Sequence, residues 1–498
     1  MGESYIISID FGTTYSGYAF SLTSREEEVD PHVKFWGEEV GLETPKTPTC
    51  ILFDEHQQFV SFGYAARQTY LRNSGKESRA KFFFDRFKMS LYGKVITTDL
   101  TITAANGREM KALTVFKEAL RFLKEDALKT IQQNTEGMKF TASDFTWVLT
   151  VPAIWDHSAK QFMREAATQA GIVTDGTENN LVFALEPEAA SVYCKKLPSE
   201  GFIAENRGES KLDQSPGTQY IIVDCGGGTI DITVHEVLEG GFLKELHKAS
   251  GNDMGGQTVD KKYPSEVRRI IYDFTLFKRR DEDMEICPLN LGMIARQKQD
   301  MAEYFKRVQG QKLRYFFEES LWSITKSLKE ILYQTVNTKY ILLVGGFAES
   351  QILQRHIKDE FIDNCKVLCP FRPQEAIVNG AFELGRNQGA VASRKSNYTY
   401  GDFGWNETKE LTVYPLESDQ TKIILAFYRT KKKKNPMYVD ETDVEKMGSF
   451  VVESPDTTLG LDCQIVLEIK FGFTELMVTG TDRESGSVHT VNLNFMTN

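Results

Sequence analysis

A basic surface is the first feature that this sequence lacks. Its 59 Lys and Arg residues are outnumbered by 70 Asp and Glu residues, which gives a formal net charge of −11. Nucleic-acid-binding domains usually carry a clustered excess of basic residues. Hydrophobic residues make up 41% of the chain, yet no apolar run approaches the length of a membrane span. We therefore expect neither a nucleic-acid partner nor a membrane span.

Cysteine is scarce as well. The chain contains seven cysteines, an odd number, and Cys365 and Cys369 are too far apart for a Cys-x-x-Cys motif. A zinc site would also require a second such pair. The first residues show no basic region followed by an apolar stretch, so no secretory signal is indicated. These features predict reduced thiols and a cytoplasmic location, with the nucleus as an alternative.

The length of 498 residues is too great for one compact core, so two or three domains are expected. Helical spacing at 113–133 and 320–333 alternates with apolar strands at 146–151 and 181–184, a pattern typical of α/β folds. Alternating strands predominate after a small polar stretch that follows Arg386. We expect an α/β region at 1–386, with lobes at about 1–186 and 187–386, a linker at 387–399 and a smaller all-β domain at 400–498.

An approximate internal repeat is the most informative feature of the chain. Residues 5–20 read YIISIDFGTTYSGYAF, and residues 220–234 read YIIVDCGGGTIDITV. Each segment has an apolar strand that ends in Asp, a glycine-containing turn, a Thr and a second strand, which predicts a β-hairpin. A third apolar run ends in Gly345 and Gly346. The repeat predicts two related lobes that face each other across a cleft.

Glycine-rich turns of this kind are suited to binding phosphate. Backbone N–H groups at Gly12 and at 226–228 can approach an anion closely because glycine has no side chain. Hydroxyl donors are added by Thr13, Thr14 and Thr229. Asp10 and Asp224 would repel phosphate unless Mg²⁺ and its waters lay between them. A single Asp-x-Gly-Thr turn is more often a plain hairpin turn, but two copies in matching strands favour a phosphate site.

Six motifs in order resemble the heat shock 70 kDa protein family, a member of the actin and sugar-kinase superfamily, and within it the divergent twelve-type branch. They lie at 10–17, 150–153, 186–190, 224–229, 343–349 and 380–381. The resemblance covers about 5–386 and is looser beyond. It implies a two-lobed actin-like ATPase with ribonuclease H-like lobes, which binds ATP or ADP with Mg²⁺.

The resemblance also implies roles for individual residues. The residues expected to contact the nucleotide are Gly12, Thr13, Thr14, Tyr15, Gly226, Gly227, Gly228, Thr229, Gly255, Gly256, Gly345, Gly346 and Phe347. Lys88, Glu186, Asp224 and Asp231 are the expected catalytic residues, and Asp10 and Asp224 are the expected metal residues. For Lys88, a solvated surface lysine is an equally weighted interpretation.

The chain departs from the family pattern mainly where adenosine would bind. Phe347 and Glu349 stand where the family has Ser and Arg, and Gln374 replaces an acidic residue. The stretch 260–316 is short and lacks the usual adenine-contacting helix, for which Lys298, Lys306 and Arg307 are the nearest candidates. Phosphate binding is therefore better supported than adenine specificity.

Three functional hypotheses follow. The first is a slowly hydrolysing, ATP-driven switch of chaperone type, which acts on protein clients or regulatory protein partners. Peptide capture is less well supported than regulated interaction, because no long helical pattern follows the β-rich segment. The second hypothesis is a sugar-type small-molecule kinase, for which no motif supplies the required base. The third is a scaffold that binds nucleotide without turnover.

Overall fold

The computed structural model describes most of the chain between Tyr5 and Asn494. The described residues are 5–22, 29–72, 80–94, 96–135, 138–174, 176–203, 211–261, 310–335, 337–393, 408–414, 422–430, 444–453, 460, 464–470, 477–483, 488–490 and 492–494. Within these ranges, no helix is both long and apolar enough to cross a membrane.

Eight α-helices and twenty-four strands are found within the described ranges. The helices are α1 Gly63–Arg72, α2 Ala112–Asn134, α3 His157–Gln169, α4 Glu186–Lys196, α5 Gly256–Lys261, α6 Gly310–Gln334, α7 Gln351–Phe361 and α8 Ala376–Arg386. The strands are β1 Tyr5–Phe11, β2 Tyr15–Ser21, β3 His32–Val33, β4 Thr47–Pro48, β5 Cys50–Phe53, β6 Phe59–Phe62, β7 Phe82–Asp85, β8 Thr101–Thr103, β9 Glu109–Lys111, β10 Phe145–Val151, β11 Leu181–Leu185, β12 Gln219–Cys225, β13 Ile230–Val237, β14 Leu243–Asn252, β15 Thr338–Val344, β16 Lys366–Leu368, β17 Val391–Ser393, β18 Thr408–Val413, β19 Lys422–Thr430, β20 Val444–Glu453, β21 Ile465–Lys470, β22 Met477–Asp482, β23 Val488–Thr490 and β24 Asn492–Asn494.

The two glycine-turn hairpins lie at the centres of two six-stranded sheets. The first sheet has the order β11-β10-β1-β2-β3, with β4 also paired to β2, and the second has the order β16-β15-β12-β13-β14-β17. Each hairpin is antiparallel, and its first strand pairs in parallel with a strand from later in the chain. Both predicted hairpins are thus confirmed, and the repeat extends to the strand order around them.

Local sequence signals account for several of the helices. The Asp156 side chain accepts a hydrogen bond from the Ala159 N–H and so caps α3, as expected from an N-cap aspartate. In α2, the buried residues recur with helical spacing and pack into the core beside the first sheet. The helix expected at 320–333 begins earlier, at Gly310.

Three buried clusters hold these sheets and helices together. One lies beside the first sheet and includes Phe82, Phe84 and Phe87. A second lies beside the second sheet and contains α6 and α7 residues. The third joins Ile6 of the first sheet to Ile222 of the second through side chains of α4 and α8. The two helices therefore connect the hairpin strands of both sheets.

The second sheet continues beyond Arg386. Strand β17 pairs in parallel with β14, with Val391 opposite Leu243, so ordered structure extends into the range interpreted as a linker. Further along the chain, the described residues form two antiparallel sheets with the orders β18-β21-β22-β23 and β19-β20-β24. These strands agree with the alternating pattern of the sequence, and an all-β domain at 400–498 stays a prediction.

Candidate functional site

The three glycine turns open into one cleft. The first turn follows β1, the second follows β12 and the third follows β15, so each stands at the carboxyl end of a central strand. Predicted site residues that line the cleft are Asp10, Gly12, Thr13, Thr14, Tyr15, Glu186, Asp224, Gly226, Gly227, Thr229, Gly256, Gly345, Gly346 and Phe347. Residues far apart in sequence are therefore brought to one place.

The first and second turns lie against each other across this cleft. A Cβ atom added at Gly227 would lie 1.9 Å from Thr14 Oγ1, and one at Gly228 would lie 2.6 Å from Thr13 Cγ2. Both distances are shorter than van der Waals contact, so the close approach requires glycine at these positions. The Gln257 amide adds a direct link across the cleft by donating to Thr14 Oγ1 at 2.9 Å.

Gly255 and Gly256 support the second turn through their backbone. The Gly255 N–H donates to Gly228 O, and the Gly256 N–H donates to Gly226 O. These amides are therefore engaged within the protein rather than free for an anion. Gly256 still lines the cleft, whereas Gly255 packs directly on the second turn, where an added Cβ would lie 2.7 Å from Gly226 O.

The third turn approaches the aspartate that ends β12. Gly345 has a φ of 87°, in the left-handed region, and a Cβ there would lie 2.4 Å from Asp224 Oδ1. A short 3-10 helix, Gly346–Glu349, follows. Its Phe347 is buried and stacks on Phe317 of α6, with ring centroids 5.9 Å apart. Phe347 thus closes one wall of the cleft and also belongs to the core beside the second sheet.

Four buried carboxyl groups are gathered beneath the turns. Asp10, Glu186, Asp224 and Asp231 are each at most 6% exposed. Burial, together with the charges of Glu186 and Asp231, raises the pKa of Asp224 well above its usual range. Burial likewise raises the pKa of Glu186, although nearby Lys88 opposes the shift. This concentration of negative charge is unfavourable unless cations or protons neutralise it.

Two buried lysines supply part of that neutralisation. Lys88 donates to Glu186 Oε1 at 2.6 Å, and its Nζ lies 5.2 Å from the centre of the Trp155 ring. The alternative of a solvated surface lysine is excluded by its 2% exposure. Lys46, which the sequence did not single out, forms an ion pair with Asp10 Oδ2 and lines the cleft.

The carboxyl groups are unequally available to a metal ion. Asp10 already accepts hydrogen bonds at both oxygens, from Lys46 and from Thr150 Oγ1. In contrast, Asp224 Oδ1 and Asp231 Oδ2 are buried without a hydrogen-bond partner among the described residues. No three His, Cys, Asp or Glu side chains in those residues converge to hold a metal alone. The site thus fits a hydrated cation that faces Asp224 and takes its remaining ligands from elsewhere.

We expect Asp231→Asn to raise thermal stability most at alkaline pH. Burial, followed by the charge of Glu186, raises the pKa of Asp231 to about 7. The contribution of its protonated form is therefore fully present below about pH 4 and is lost as the pH rises through 7. The mutant's gain in melting temperature should grow between pH 5 and pH 8 in differential scanning fluorimetry. Asp156→Asn, at an exposed helix cap, is the control and should show a constant difference.

Some residues of the cleft were not predicted from the sequence, and some candidate residues lie outside the described part of the chain. Lys46, Gln257, Asp260 and Ile377 line the cleft without having been singled out, and Gln374 lies there as well. A weak signal for Lys46 existed in the segment Pro45-Lys46-Thr47-Pro48, where two prolines indicate a fixed loop. Lys298, Lys306 and Arg307 lie outside the described residues.

Comparison with known proteins gives relatives over the whole chain. No family model matches. The mouse protein "Heat shock 70 kDa protein 12A" is 29% identical over 99% of this chain and 91% of its own length, and human "Heat shock 70 kDa protein 12B" is 28% identical over the same shares. Both alignments are longer than this chain, so each relative contains segments that it lacks. The "Chaperone protein HscA homolog" of Acinetobacter baumannii (strain AYE) is 26% identical over 75% of this chain and 56% of its own length.

These relatives indicate the class of protein to which the chain is similar. They imply an actin-like ATPase fold, and the mixed α/β sheets of the structure agree with that fold. Over almost its whole length the chain is similar to heat shock 70 kDa proteins, and among them to proteins 12A and 12B.

Proposed function

We propose that this chain is an ATP-binding, slowly ATP-hydrolysing conformational switch of chaperone type that acts on protein partners. The observation that carries the proposal is the convergence of three glycine turns, from two sheets of matching topology, on a single cleft. The relatives support it, because one of them bears the name chaperone. The nucleotide-binding region would comprise two lobes, 1–186 and 187–386, and a β-rich region would follow at 400–498.

Phosphate groups would be bound by the first two turns. The backbone of 12–15 belongs to the hairpin of the first sheet, and that of 226–229 belongs to the hairpin of the second. Both turns line the cleft, and successive N–H groups in such turns form concave donor surfaces for phosphate oxygens. A Mg²⁺ ion facing Asp224 would supply neutralising charge during phosphoryl transfer. Gly345, Gly346 and Phe347, which also line the cleft, would contact the adenosine.

Catalytic roles follow from the buried charges. Lys88 is fixed by Glu186 and Trp155, so it can stabilise negative charge that develops on the terminal phosphate without first having to be ordered. Asp231 holds one carboxylate oxygen toward the Ile154 N–H and has another without a partner among the described residues. Asp224 would position the attacking water, and Glu186 and Asp231 would help to hold the metal ion and its waters.

Nucleotide binding would act on partners by stabilising the arrangement in which the glycine turns of the two sheets meet. A polyphosphate that contacts both turns is bound more tightly when they approach, so it favours the closed arrangement. Because α4 and α8 pack between the hairpin strands of the two sheets, closure would be transmitted to the surfaces that these helices support. Protein clients or regulatory proteins that recognise such surfaces are the proposed partners.

Calorimetric titration tests the nucleotide site directly. ATP and ADP should bind with a stoichiometry of about one per cleft in magnesium buffer, and GTP separates phosphate recognition from adenine recognition. Repeating each titration with EDTA measures the magnesium dependence. The proposal would be contradicted if ATP released or absorbed no heat of binding in either buffer at protein concentrations well above the micromolar range.

We expect Lys88→Met to slow single-turnover ATP hydrolysis by roughly 10²-fold, the usual effect of losing one transition-state donor. ATP affinity should change far less, because the role proposed for Lys88 is to stabilise charge that develops only in the transition state. Lys88→Met with Glu186→Gln is the companion variant, because it avoids leaving a buried carboxylate unpaired. Unchanged phosphate release in both folded variants would remove Lys88 from the mechanism.

A scaffold that binds nucleotide without turnover is the second candidate. It is favoured by the state of Asp10, whose two carboxylate oxygens are occupied by Lys46 and Thr150. Phosphate release in wild type and in Asp224→Asn decides between the two functions. Equal rates would support the scaffold, and a large loss in the variant would support the ATPase.

A further inference from the structure

Lys46 is a buried cation on the wall of the cleft. Its residue is 7% exposed, and its ammonium group forms an ion pair with Asp10, which is 1% exposed. Burial of a lysine requires a compensating charge, and Asp10 provides it. Unlike Lys88, Lys46 directly lines the space into which the glycine turns open.

The fold holds Lys46 in this position through the first hairpin. Strand β4 pairs with β2, with Thr47 opposite Ser16, and this pairing places the preceding residue beside the hairpin. Gly17 lies opposite Asp10 in the same hairpin. A Cβ at Gly17 would lie 2.6 Å from Pro45 O and 3.0 Å from Lys46 Cγ, so the bare glycine leaves room for the lysine.

The charge of Lys46 reaches beyond its partner. Besides forming the ion pair with Asp10, the positive charge of Lys46 favours the ionised forms of Glu186 and Asp224. An ammonium group has three N–H donors, and Asp10 is the acceptor that the described residues offer it. Lys46 therefore combines a fixed position, a charge near four carboxyl groups and donor capacity beyond its bond to Asp10. The fourth of these groups is Glu375.

We propose that Lys46 is a resident phosphate ligand that shares the charge-neutralising role of magnesium, so that this chain retains substantial affinity for nucleoside triphosphate without the metal. The inference rests on the proposed nucleotide site. A polyphosphate between the first two turns lies in the cleft that Lys46 lines, where an ammonium donor stabilises a phosphate oxygen. When magnesium is present, the metal neutralises the same phosphates, and the contribution of Lys46 becomes smaller.

The test compares ATP affinity by calorimetry in EDTA and in magnesium for wild type and Lys46→Met. In EDTA, the variant should bind roughly tenfold to a hundredfold more weakly, the effect of losing a hydrogen bond to a charged group. In magnesium, the loss should be clearly smaller. Lys124→Met is the control for the same substitution at a partly buried lysine, because Lys124 donates to Ala170 O away from the cleft.

A second variant separates a role of Lys46 in phosphate binding from its role in neutralising the buried carboxylate of Asp10. Lys46→Met leaves a buried carboxylate unpaired, whereas Lys46→Met with Asp10→Asn removes both charges. The double variant should show the same weakening in EDTA. If it binds ATP in EDTA as tightly as wild type does, Lys46 only balances Asp10 and the inference is overturned.

The remaining outcomes are also decisive. Equal losses with and without magnesium in Lys46→Met would overturn the shared role with the metal. Wild-type binding that disappears entirely in EDTA would overturn the inference while leaving the nucleotide site intact. Absence of ATP binding by wild type in both buffers would overturn the proposed function and this inference with it.

Discussion

Gly227→Val is expected to weaken Mg-ATP binding by at least roughly a hundredfold, the effect of losing two charge-assisted hydrogen bonds. The valine Cβ would lie 1.9 Å from Thr14 Oγ1 and 2.7 Å from Thr14 Cβ. Since this contact joins the first turn to the second, the two phosphate-binding surfaces would be pushed apart. Calorimetric titration of the variant with ATP in magnesium buffer measures the loss.

The specificity of this effect can be checked with a distant glycine. Gly389 is exposed on a short 3-10 helix, and a Cβ there would meet only Asn387 Oδ1, at 3.4 Å. Gly389→Val should therefore leave ATP affinity unchanged. If Gly227→Val also bound ATP with wild-type affinity while remaining folded, the two turns would not form a common phosphate site.

The hairpins could be predicted from sequence because their signals are local. In residues 5–20 and 220–234, an apolar strand, a terminal Asp and a glycine turn follow one another without interruption. The matching order of strands around each hairpin was not predictable in the same way. It depends on parallel pairing with β10 and β15, which come from distant parts of the chain.

Lys46 shows why part of the site could not be predicted. It precedes the two-residue strand β4, which is too short to give a periodic pattern. Its proximity to Asp10 arises from the pairing of β4 with β2 and from the space that Gly17 leaves. Gln257 is a similar case, because its contact with Thr14 joins residues that are 243 positions apart. Residue type alone gives no indication of such contacts.

Helix α8 contains a motif that could be found in the sequence, but the physical reason for that motif is visible only in the structure. The pair Gly380-Ala381 was noticed as part of the family motif, and the structure gives it a physical reason. A Cβ at Gly380 would lie 1.7 Å from Ala189 O and 2.3 Å from Ala189 C in α4. The glycine therefore permits the close crossing of the two helices that pack between the hairpin strands. This requirement follows from the crossing and could not be read from helical spacing.

We expect Gly380→Ala to be more destabilising than Gly385→Ala in the same helix, with a loss of about 3 kcal/mol or more in the free energy of unfolding. The obstacle is a backbone carbonyl, which cannot rotate away as a side chain can. Urea denaturation followed by tryptophan fluorescence, together with the midpoint of thermal unfolding, measures the loss.

Gly385→Ala is the matched comparison on the same helix. Its Cβ would lie 2.7 Å from Val148 Cγ2 and 3.0 Å from Ile6 Cγ2, and such side-chain atoms can move at a cost of about 1 kcal/mol. Ala189→Gly should fail to rescue Gly380→Ala, since the carbonyl oxygen remains in place. Equal stability of Gly380→Ala and Gly385→Ala, or full rescue by Ala189→Gly, would show that α4 and α8 do not cross as closely as the structure places them. The coupling of the two sheets through these helices would then lose its basis.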